Sequence, residues 1–371
     1  MKKNILVVST GSNFSGGAEL QLKKILQNIS KYEIHLLSFA KSDRDFGAYS
    51  ILKKNKNLIF YSINIKKPFK SFKNLSDILK IIEASKNKVT ILGWLAKGNL
   101  VGLLLGLLKP FKTKIFLCHR SKFTLYQSLK SQILLYITLI IYFIYPKKII
   151  HIANSPIIYS SKIIRFLLKS KPICIKNCFS FNKEQKNQKV YAKKSSPLKL
   201  LIIGRFSREK GHELLFKSLT KVNFNYKLIC IGKGCSLRKQ KFKNLCKKYK
   251  IKVIAFEKVN NINKIYLESD YLVSSSLSES FPNVVAESLL AGTPVISTPT
   301  GCFINILKEF NLVSSSFKSY DFSKVLNNAY CLRKNHKKYQ TISRNLSRKI
   351  IQEVLTPLQA AINYEKVFLN E

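Results

Sequence analysis

The chain has 371 residues, of which 46% are apolar and 11% aromatic, enough to bury cores and to exclude a generally disordered chain. With 14 glycines and 10 prolines it is neither collagen-like nor of low complexity. The 65 basic and 19 acidic residues give a formal net charge of +46, which favours an anionic partner such as nucleic acid, an acidic membrane surface or a phosphorylated small molecule. Because the lysines are spread along the whole chain, a biased genome composition accounts for the charge equally well.

Neither the cysteines nor the apolar segments predict a secreted or membrane-spanning protein. The eight cysteines are scattered, and Cys174 and Cys178 form a C-x3-C pair without a second pair of zinc spacing, so we expect reduced thiols in the cytosol. The N-terminal apolar run 5–8 is too short for a secretory signal. The uncharged run 133–145 is shorter than the ~20 residues of a spanning helix, and we interpret it as a buried or interfacial helix.

Short apolar runs that predict β-strands alternate with stretches of helical spacing in both halves of the chain. In the first half the predicted strands are 5–8, 34–39, 58–63, 89–92, 115–118 and 149–153. In the second half they are 198–203, 227–231, 251–256, 271–274 and 294–297. Continuous apolar strands of this kind are typical of parallel sheets covered by helices on both faces. The sequence therefore predicts an α/β protein with two doubly wound, Rossmann-like domains facing a cleft.

The predicted boundary between the domains is a polar segment with almost no apolar residues. We expect an N-terminal domain at 1–180, a linker at 181–197, a C-terminal domain at 198–350, and at 351–371 a helix that could cross back to the first domain. In a doubly wound fold the ligand lies outside the carboxyl ends of the strands. The ligand is therefore expected between the two domains.

Two glutamates are the most informative residues of the segment 269–301. A predicted strand leads into a loop with Glu279, and Pro282 begins a helix with Glu287 in its second turn. Both carboxylates can then face one ligand, while the backbone N–H groups at the start of the helix, within 281–284, can bind its oxygens. Alternatively, Glu279 caps the helix and Glu287 is solvated, but an acid among the apolar neighbours of Glu287 is rarely kept without a polar partner.

This segment resembles the E-x7-E signature of retaining glycosyltransferases of family 4, which have the GT-B fold. The matching residues are SESFPNVVAE at 278–287 and AGTPV at 291–295. An independent match, GRFSREKG at 204–211, resembles the family's G-R-x4-K-G loop after the first strand of the donor domain. Further segments also resemble the family: 16–19 is similar to its Gly-rich acceptor-side loop, 232–234 to its G-x-G turn, and 256–270 to the stretch before the signature. The segments 93–95, 99–102 and 153–155 are similar to bacterial surface-polysaccharide members. Ser280 and Cys302 replace glycines of many members, which leaves the donor sugar undefined.

The resemblance implies a retaining hexosyltransferase that moves a sugar from a nucleotide-diphosphate sugar to a lipid-linked or growing surface saccharide, as in lipopolysaccharide or capsule synthesis. Arg205 and Lys210 would stabilise the departing diphosphate, Glu287 would accept the ribose hydroxyls, and Glu279 would hold the donor sugar. The leaving phosphate itself would accept the acceptor's proton, since no protein nucleophile is evident. The remaining donor-binding positions implied by the resemblance are Gly16, Gly17, Gly204, Phe281, Pro282, Asn283 and Val284.

Two further features bear on the chemistry. His119 follows the predicted strand 115–118, where family members often present a histidine to the donor sugar, although a histidine at a strand end is by itself more often structural. Asp43 and Asp45 have the D-x-D spacing of a metal motif from a different glycosyltransferase fold. Because they lie in a polar loop without a preceding strand, we interpret the spacing as chance and expect no required metal or other cofactor.

The first domain also carries lysines interleaved with phenylalanines, at 66–73 and 109–112, a pattern that suits an anionic membrane surface. Together with the resemblance it predicts a cytoplasmic protein, peripheral at the inner face of the cell membrane. The alternatives are that these lysines only keep loops soluble, that the chain binds nucleic acid, or that it is a catalytically degenerate partner subunit. The diffuse charge argues against nucleic acid as a partner. Degeneracy is disfavoured by the intact Glu279, Glu287, Arg205 and Lys210.

Overall fold

The structure is a computed structural model, and it describes residues 4–10, 16–39, 55, 57–64, 68–120, 133, 136–138, 140–141, 149–159, 171–180 and 197–369. The chain divides into two units. The first unit comprises Met1–Ser180 and Leu355–Glu371, and the second comprises Phe181–Val354. The C-terminal segment of the chain therefore belongs to the first unit.

A seven-stranded parallel sheet forms the centre of the first unit, with the order β3-β2-β1-β4-β5-β6-β7. Its strands are β1 (Asn4–Thr10), β2 (Tyr32–Ser38), β3 (Leu58–Ser62), β4 (Val89–Trp94), β5 (Thr113–His119), β6 (Ile149–Ala153) and β7 (Ile173–Cys174). Its helices are α1 (Gly17–Leu26), α2 (Pro68–Ala84), α3 (Leu95–Leu108) and the C-terminal helix (Pro357–Leu369). Because the strand order reverses between β1 and β4, the switch point of this sheet lies there.

Apolar side chains cover both faces of the first sheet. On one face Trp94 packs with Tyr364 and Phe368 of the C-terminal helix in a buried cluster that also includes α1. On the other face Leu103 and Leu105 of α3 and Ile78 of α2 pack against the strands. Since side chains alternate between the faces of a strand, burial of both faces requires the continuous apolar runs seen in the sequence.

The second unit contains a five-stranded parallel sheet with the order β10-β9-β8-β11-β12. Its strands are β8 (Leu198–Ile203), β9 (Tyr226–Ile231), β10 (Val253–Phe256), β11 (Tyr271–Ser274) and β12 (Val295–Ser297). Its helices are α4 (His212–Leu219), α5 (Gln240–Lys248), α6 (Ile262–Glu268), α7 (Asn283–Leu290), α8 (Ile304–Lys308), α9 (Ser319–Lys334) and α10 (His336–Glu353). The predicted fold class, two doubly wound parallel sheets, is confirmed.

A buried ion pair holds together the two strands that flank the switch point of the second sheet. Asp270, directly before β11, accepts hydrogen bonds from the backbone N–H of Lys199 in β8 at 2.9 Å and from Arg333 Nε in α9 at 2.6 Å. The hydroxyl of Tyr339 in α10 donates to the carbonyl of Asp270. Breaking a buried pair of this kind by removing one partner typically costs about 3–5 kcal/mol. These contacts therefore hold β8 and β11 next to each other. The predicted site lies at the carboxyl ends of these two strands.

The predicted helix at 351–371 is two separate elements. One helix ends at Glu353 and the next begins at Pro357. Between them Val354 is extended, and Leu355 forms a parallel bridge with Cys178. A proline readily begins a helix, but its ring clashes with a preceding helical turn. The helix of the C-terminal segment therefore begins at Pro357 and not at 351.

Some predicted features lie outside the described residues: the linker 181–197 apart from Pro197, the pair Asp43 and Asp45, and the residues Lys66 and Lys67. The described residues of the uncharged run 133–145 are helical. Their exposed apolar members, which are spaced as one face of a helix, are Ile133, Tyr136, Ile137 and Ile140. Of the two interpretations of this run, these residues favour the interfacial helix.

Glycines allow α3 to lie directly against the first sheet. Gly98, Gly102 and Gly106 are buried and close to the strands, and the hydroxyl of Ser9 donates to the carbonyl of Gly98 at 2.7 Å. A Cβ atom at position 98 would lie 2.2 Å from the carbonyl oxygen of Ser9. Leu95, the first residue of α3, has a φ of +63°, an uncommon value for a branched side chain. The helix therefore begins in a tight turn next to the switch point.

We expect Gly98→Ala to destabilise the first unit by about 1–3 kcal/mol, because the collision with Ser9 outweighs a gain of about 1 kcal/mol in helix propensity. Urea unfolding followed by the fluorescence of Trp94, the only tryptophan of the chain, measures the effect in this unit. The exposed neighbour Lys97 provides the control, since Lys97→Ala should change stability by no more than about 0.5 kcal/mol. A Gly98→Ala protein as stable as the wild type would contradict the close packing of α3.

Candidate active site

Three loops meet at the carboxyl edge of the second sheet, at positions that require glycine. Gly211 in the loop after β8 has a φ of +63°, and a Cβ atom there would lie 1.9 Å from the carbonyl oxygen of Ser275, which follows β11. Gly232 after β9 has a φ of +149°, and its Cβ atom would lie 2.1 Å from the carbonyl oxygen of Gly204. A side chain at either glycine would push the loops apart. The matched motif 204–211 is thus held tightly against both neighbouring loops.

Lys210 and Glu279 form an ion pair at the switch point between β8 and β11. The distance from Lys210 Nζ to Glu279 Oε1 is 2.5 Å, and the two side chains are only 22% and 13% exposed. The sequence assigned each residue to a different part of a ligand and did not predict their contact. Because the pair is largely removed from water, its attraction is stronger than that of a surface pair, and either charge is costly to leave unpaired.

Hydroxyl and backbone groups fix the carboxylate of Glu279. Ser276 Oγ donates to Oε1 at 2.9 Å, and the backbone N–H of Glu279 donates to Thr300 Oγ1 at 3.0 Å. The backbone N–H of Leu277 donates to the carbonyl of Glu209, which joins this loop to the loop after β8 at 2.8 Å. Ser276 and Thr300 are partners of Glu279 that the sequence did not indicate. Both are common polar residues of loops, and no spacing rule distinguishes them.

Arg205 is far more exposed than Lys210, Glu279 or His119. It is 66% exposed, and its Nη2 contacts Glu209 Oε2 at 3.0 Å. Exposed ion pairs between residues four apart contribute little to stability. The guanidinium can therefore turn from Glu209 towards an anionic ligand at small cost, and its planar fork suits two oxygens of a phosphate.

Glu287 lies in the second turn of α7, as predicted, and has a partner that the sequence did not indicate. The hydroxyl of Tyr266 in α6 donates to Glu287 Oε2 at 3.1 Å. Burial, and then the negative charge of Glu287, raises the pKa of Tyr266, so the phenol stays protonated and donates. A carboxylate has about four acceptor positions, so one carboxylate can accept from a phenol and from the two hydroxyls of a diol. Tyr266 was missed because it belongs to another helix, 21 residues before Glu287.

The start of α7 is where the sequence places it. Pro282 directly precedes the helix, and Asn283 and Val284 are half-buried in its first turn. The ring of Phe281 is buried against Phe303, with 4.8 Å between the ring centroids. Phe281 can therefore contribute to a site only through its backbone. The first N–H groups of a helix point out of its end and bind oxygens of anions or hydroxyls.

The other predicted site residues belong to the first unit, at the carboxyl edge of its sheet. Gly16 precedes α1 and Gly17 begins it. His119 is the last residue of β5 and is 4% exposed, and its Nε2 lies 2.9 Å from Nδ1 of His151. Burial lowers the pKa of His119 to about 4, so the ring is neutral near pH 7. His119 can act through a neutral imidazole and not through a cation.

A buried histidine of the second unit packs beneath the 204–211 loop. The ring of His212, the first residue of α4, packs edge-on against Phe206. His212 Nε2 lies 3.5 Å from the thiol of Cys235, which also contacts the carbonyl of Gly204 at 3.5 Å. Burial, and then the positive charge of Lys210, lowers the pKa of His212 to about 4. A neutral ring at this position supports the loop without adding charge to it.

The low pKa of His212 predicts that acid destabilises the second unit. The unfolded chain, with a pKa near 6.5, takes up the proton before the folded chain does, so stability present above pH 6.5 is lost as the pH falls towards 4. The full loss in the free energy of unfolding is about 3 kcal/mol. His212→Leu should remove this part of the pH dependence in urea unfolding, followed by hydrogen exchange of second-unit peptides. An unchanged pH dependence in His212→Leu would contradict the shifted pKa.

Residues 183–345 match the family model described as glycosyl transferases group 1. The matched region contains the three loops at the carboxyl edge of the second sheet. The uncharacterized glycosyltransferase MJ1607 of Methanocaldococcus jannaschii is 30% identical over 116 residues. That alignment spans 30% of this chain and 29% of the length of MJ1607. The family model and this alignment therefore each cover less than half of the chain.

Solved structures match over the whole length. The structure of Alr3699/HepE from Anabaena in complex with UDP has a TM-score of 0.71 and 15% identity, and the match covers 99% of this chain and 100% of that one. The lipopolysaccharide outer core galactosyltransferase WaaB in its apo form has a TM-score of 0.67 and 16% identity, over 100% of this chain and 99% of WaaB. At such identities the likeness establishes the fold. The resemblance seen in the sequence is thus confirmed: residues 183–345 match the group 1 glycosyl transferases, and the chain has the GT-B fold.

Proposed function

We propose that the protein is a retaining glycosyltransferase that takes a sugar from a nucleotide-diphosphate sugar. The observation that carries this proposal is the contact between Lys210 and Glu279, a cation and an acceptor of hydrogen bonds fixed side by side at 2.5 Å. In the donor, the anionic phosphate and the hydroxyl-bearing sugar are also directly bonded neighbours. Lys210 binds the phosphate next to the sugar, and Glu279 accepts hydrogen bonds from the sugar hydroxyls.

The other parts of the donor fit the remaining groups of the second unit. Glu287, oriented by Tyr266, accepts the hydroxyls of the ribose. Arg205 and the start of α7 bind further oxygens of the diphosphate. The structure of HepE in complex with UDP-glucose, at a TM-score of 0.72, supports a nucleotide-sugar donor for this fold. No step of the proposed reaction uses a metal, because Lys210, Arg205 and the N–H groups at the start of α7 supply positive charge for the diphosphate.

The proposed step retains the configuration at the sugar C1 atom. The bond between the sugar C1 atom and the diphosphate oxygen breaks, and the acceptor oxygen bonds to C1 on the same face. The proton of the acceptor hydroxyl passes to an oxygen of the leaving phosphate. Glu279 is held by Lys210 and Ser276, so it serves as a hydrogen-bond acceptor for the sugar and not as a nucleophile.

We expect Lys210→Ala to lower kcat/KM by about 10²–10³, because charge on the leaving diphosphate loses its closest stabilising group. The control is Lys217→Ala, which removes an exposed lysine of α4 with the same charge and should stay within about twofold of the wild type. Donor consumption measures both, after a thermal-shift screen of nucleotide sugars has identified the donor. Wild-type turnover in Lys210→Ala would contradict the assignment.

The same assay in excess EDTA tests the absence of a required metal, since turnover should persist there. Turnover abolished by EDTA and restored by magnesium or manganese would show that Asp43 and Asp45 were wrongly dismissed.

The configuration of the product at C1, read by NMR, tests retention. An inverted product would contradict the proposed step.

We further propose that the acceptor is a lipid-linked or surface saccharide reached at an anionic membrane surface. Phe69 and Phe72 are 91% and 76% exposed in the first turns of α2, far more than phenylalanine side chains normally are. Lys70 and Lys73 lie between and beside them, so rings and cations share one helix end. Rings can enter the acyl boundary while each lysine near an anionic surface contributes up to about 1 kcal/mol. The likeness to WaaB, a lipopolysaccharide galactosyltransferase, agrees with this acceptor class.

Among the described residues, no helix has the length and apolar character needed to cross a membrane. We therefore expect reversible binding: the protein should sediment with anionic vesicles at low salt, remain in solution with neutral vesicles, and be released by high salt. Lys70→Ser with Lys73→Ser, and separately Phe69→Ser with Phe72→Ser, should each weaken binding. Lys80→Ser with Lys86→Ser removes the same charge from the other end of the α2 region, and this control should not weaken binding. A wild type that stays in the supernatant with anionic vesicles would favour a soluble acceptor.

A further inference from the structure

The helix α3 exposes apolar side chains on the side that points away from the first sheet. Its inner side packs on the strands through glycines, and its outer side is also apolar apart from Lys97 in the first turn. Leu104 is 47% exposed, Leu108 is 62% exposed, and Phe111, in the turn after the helix, is 82% exposed. A helix that is apolar on all sides is normally buried. The outer side of α3 therefore has the character of an interface and not of a solvated surface.

The helical residues of the run 133–141 extend this surface. Ile141 packs against the same buried cluster as Leu103 and Leu107 of α3, so the two segments are neighbours on one face of the first sheet. The exposed members of the run, with exposed fractions of 41% to 59%, are Ile133, Tyr136, Ile137 and Ile140. These four residues together with Leu104, Leu108 and Phe111 form a surface that we call the apolar face.

The apolar face is as large as one side of a typical protein interface. With about 200 Å² of accessible area for a large side chain, its members expose on the order of 800 Å². The largest apolar patch of a monomeric protein is usually about 300–600 Å². A specific interface buries about 800 Å² on each partner. The exposed area is therefore sufficient for a stable dimer.

The charges beside the apolar face are engaged within the chain. Lys109 forms an ion pair with Glu83 at the end of α2, and Lys112 Nζ donates to the carbonyl of Ser85 at 3.2 Å. The start of α2, where phenylalanines and lysines alternate, lies at the opposite edge of the sheet, because α2 follows β3 whereas Phe111 precedes β5. An anionic membrane surface suits the start of α2, and an uncharged apolar surface suits the apolar face.

We propose that the apolar face binds the same face of a second copy of this chain, which makes the protein a homodimer through its first unit. Dimers with a two-fold axis, in which one patch meets its own copy, are by far the commonest soluble oligomers. Homodimer interfaces are also more apolar than the rest of a protein surface, as this face is. The inference goes beyond the proposed function, whose donor-binding groups belong to the second unit. Either can therefore fail without the other.

Sedimentation of the wild type without lipid, from nanomolar to near-millimolar concentration, measures the dimer. We expect Leu104→Gln with Leu108→Gln to raise its Kd at least about 100-fold, since symmetry removes each leucine twice. Glutamine has nearly the helix propensity of leucine, so α3 should form in this variant. The fluorescence spectrum of the buried Trp94 reports whether the first unit is folded.

A matched control removes two leucines of similar exposure from the other face of the same sheet. Leu20 in α1 is 44% exposed, and Leu358 in the C-terminal helix is 56% exposed. Leu20→Gln with Leu358→Gln should leave the Kd of the dimer unchanged. An equal loss of dimer in the control would overturn the placement of the interface on the apolar face.

Hydroxyl-radical footprinting of the wild type locates the interface without any substitution. Above the Kd of the dimer, Phe111 and Tyr136 should lose reactivity relative to dilute protein, while Phe69 and Phe72 keep theirs. Higher salt should leave the dimer intact or tighten it, because it screens the repulsion between two chains of net charge +46. A dimer that high salt dissociates would be held by charges, which would overturn the proposal.

A wild type that is monomeric throughout this concentration range would overturn the proposal, as would a dimer that leaves Phe111 and Tyr136 reactive. A monomer in which only vesicles protect these two residues would overturn it in favour of a lipid bilayer as the partner. None of these outcomes bears on the glycosyltransferase assignment, which sugar transfer and nucleotide binding test separately.

Discussion

The contact between Lys210 and Glu279 joins two loops whose residues are 69 positions apart, and the geometry of the site depends on it. It forms because Asp270 holds β8 next to β11 and because Gly211 lets one loop pack against Ser275 of the other. In a site shielded from water, each partner stabilises the charge of the other until a ligand arrives. A ligand with an anion bonded to a polyhydroxylated ring can then satisfy both groups at once.

Most strands could be predicted because burial of both sheet faces produces continuous apolar runs. The exception is β7, which is too short at Ile173–Cys174 to form such a run. Glu279, Glu287, Arg205 and Lys210 were found through motifs whose spacing is local. Their partners Tyr266, Ser276 and Thr300 were not found, since these contacts are created by tertiary packing and have no fixed spacing in the sequence.

In a chain with 65 basic and only 19 acidic residues, the acidic residues are the more informative ones. Lysines can accumulate on a surface at little cost, so their number says little about function. An acid that is kept out of water needs partners. Asp270 and Glu365 have such partners for structural reasons, Glu365 by accepting the N–H groups of Ser30 and Lys31 at 2.7 and 2.8 Å. Glu279 and Glu287 also have polar partners, Lys210 and Ser276 for the first and Tyr266 for the second, and both belong to the matched motif.

Calorimetric titration with a free nucleoside diphosphate tests most directly whether Lys210 binds the phosphate and Glu279 binds the sugar. We expect Lys210→Ala to weaken this affinity at least about tenfold, since it removes a cation and leaves the Glu279 carboxylate near the diphosphate. Glu279→Gln should bind the diphosphate as well as the wild type or more tightly, because a neighbouring negative charge is gone, while sugar transfer is lost. An equal loss of affinity in both variants would contradict the division of roles between the two residues.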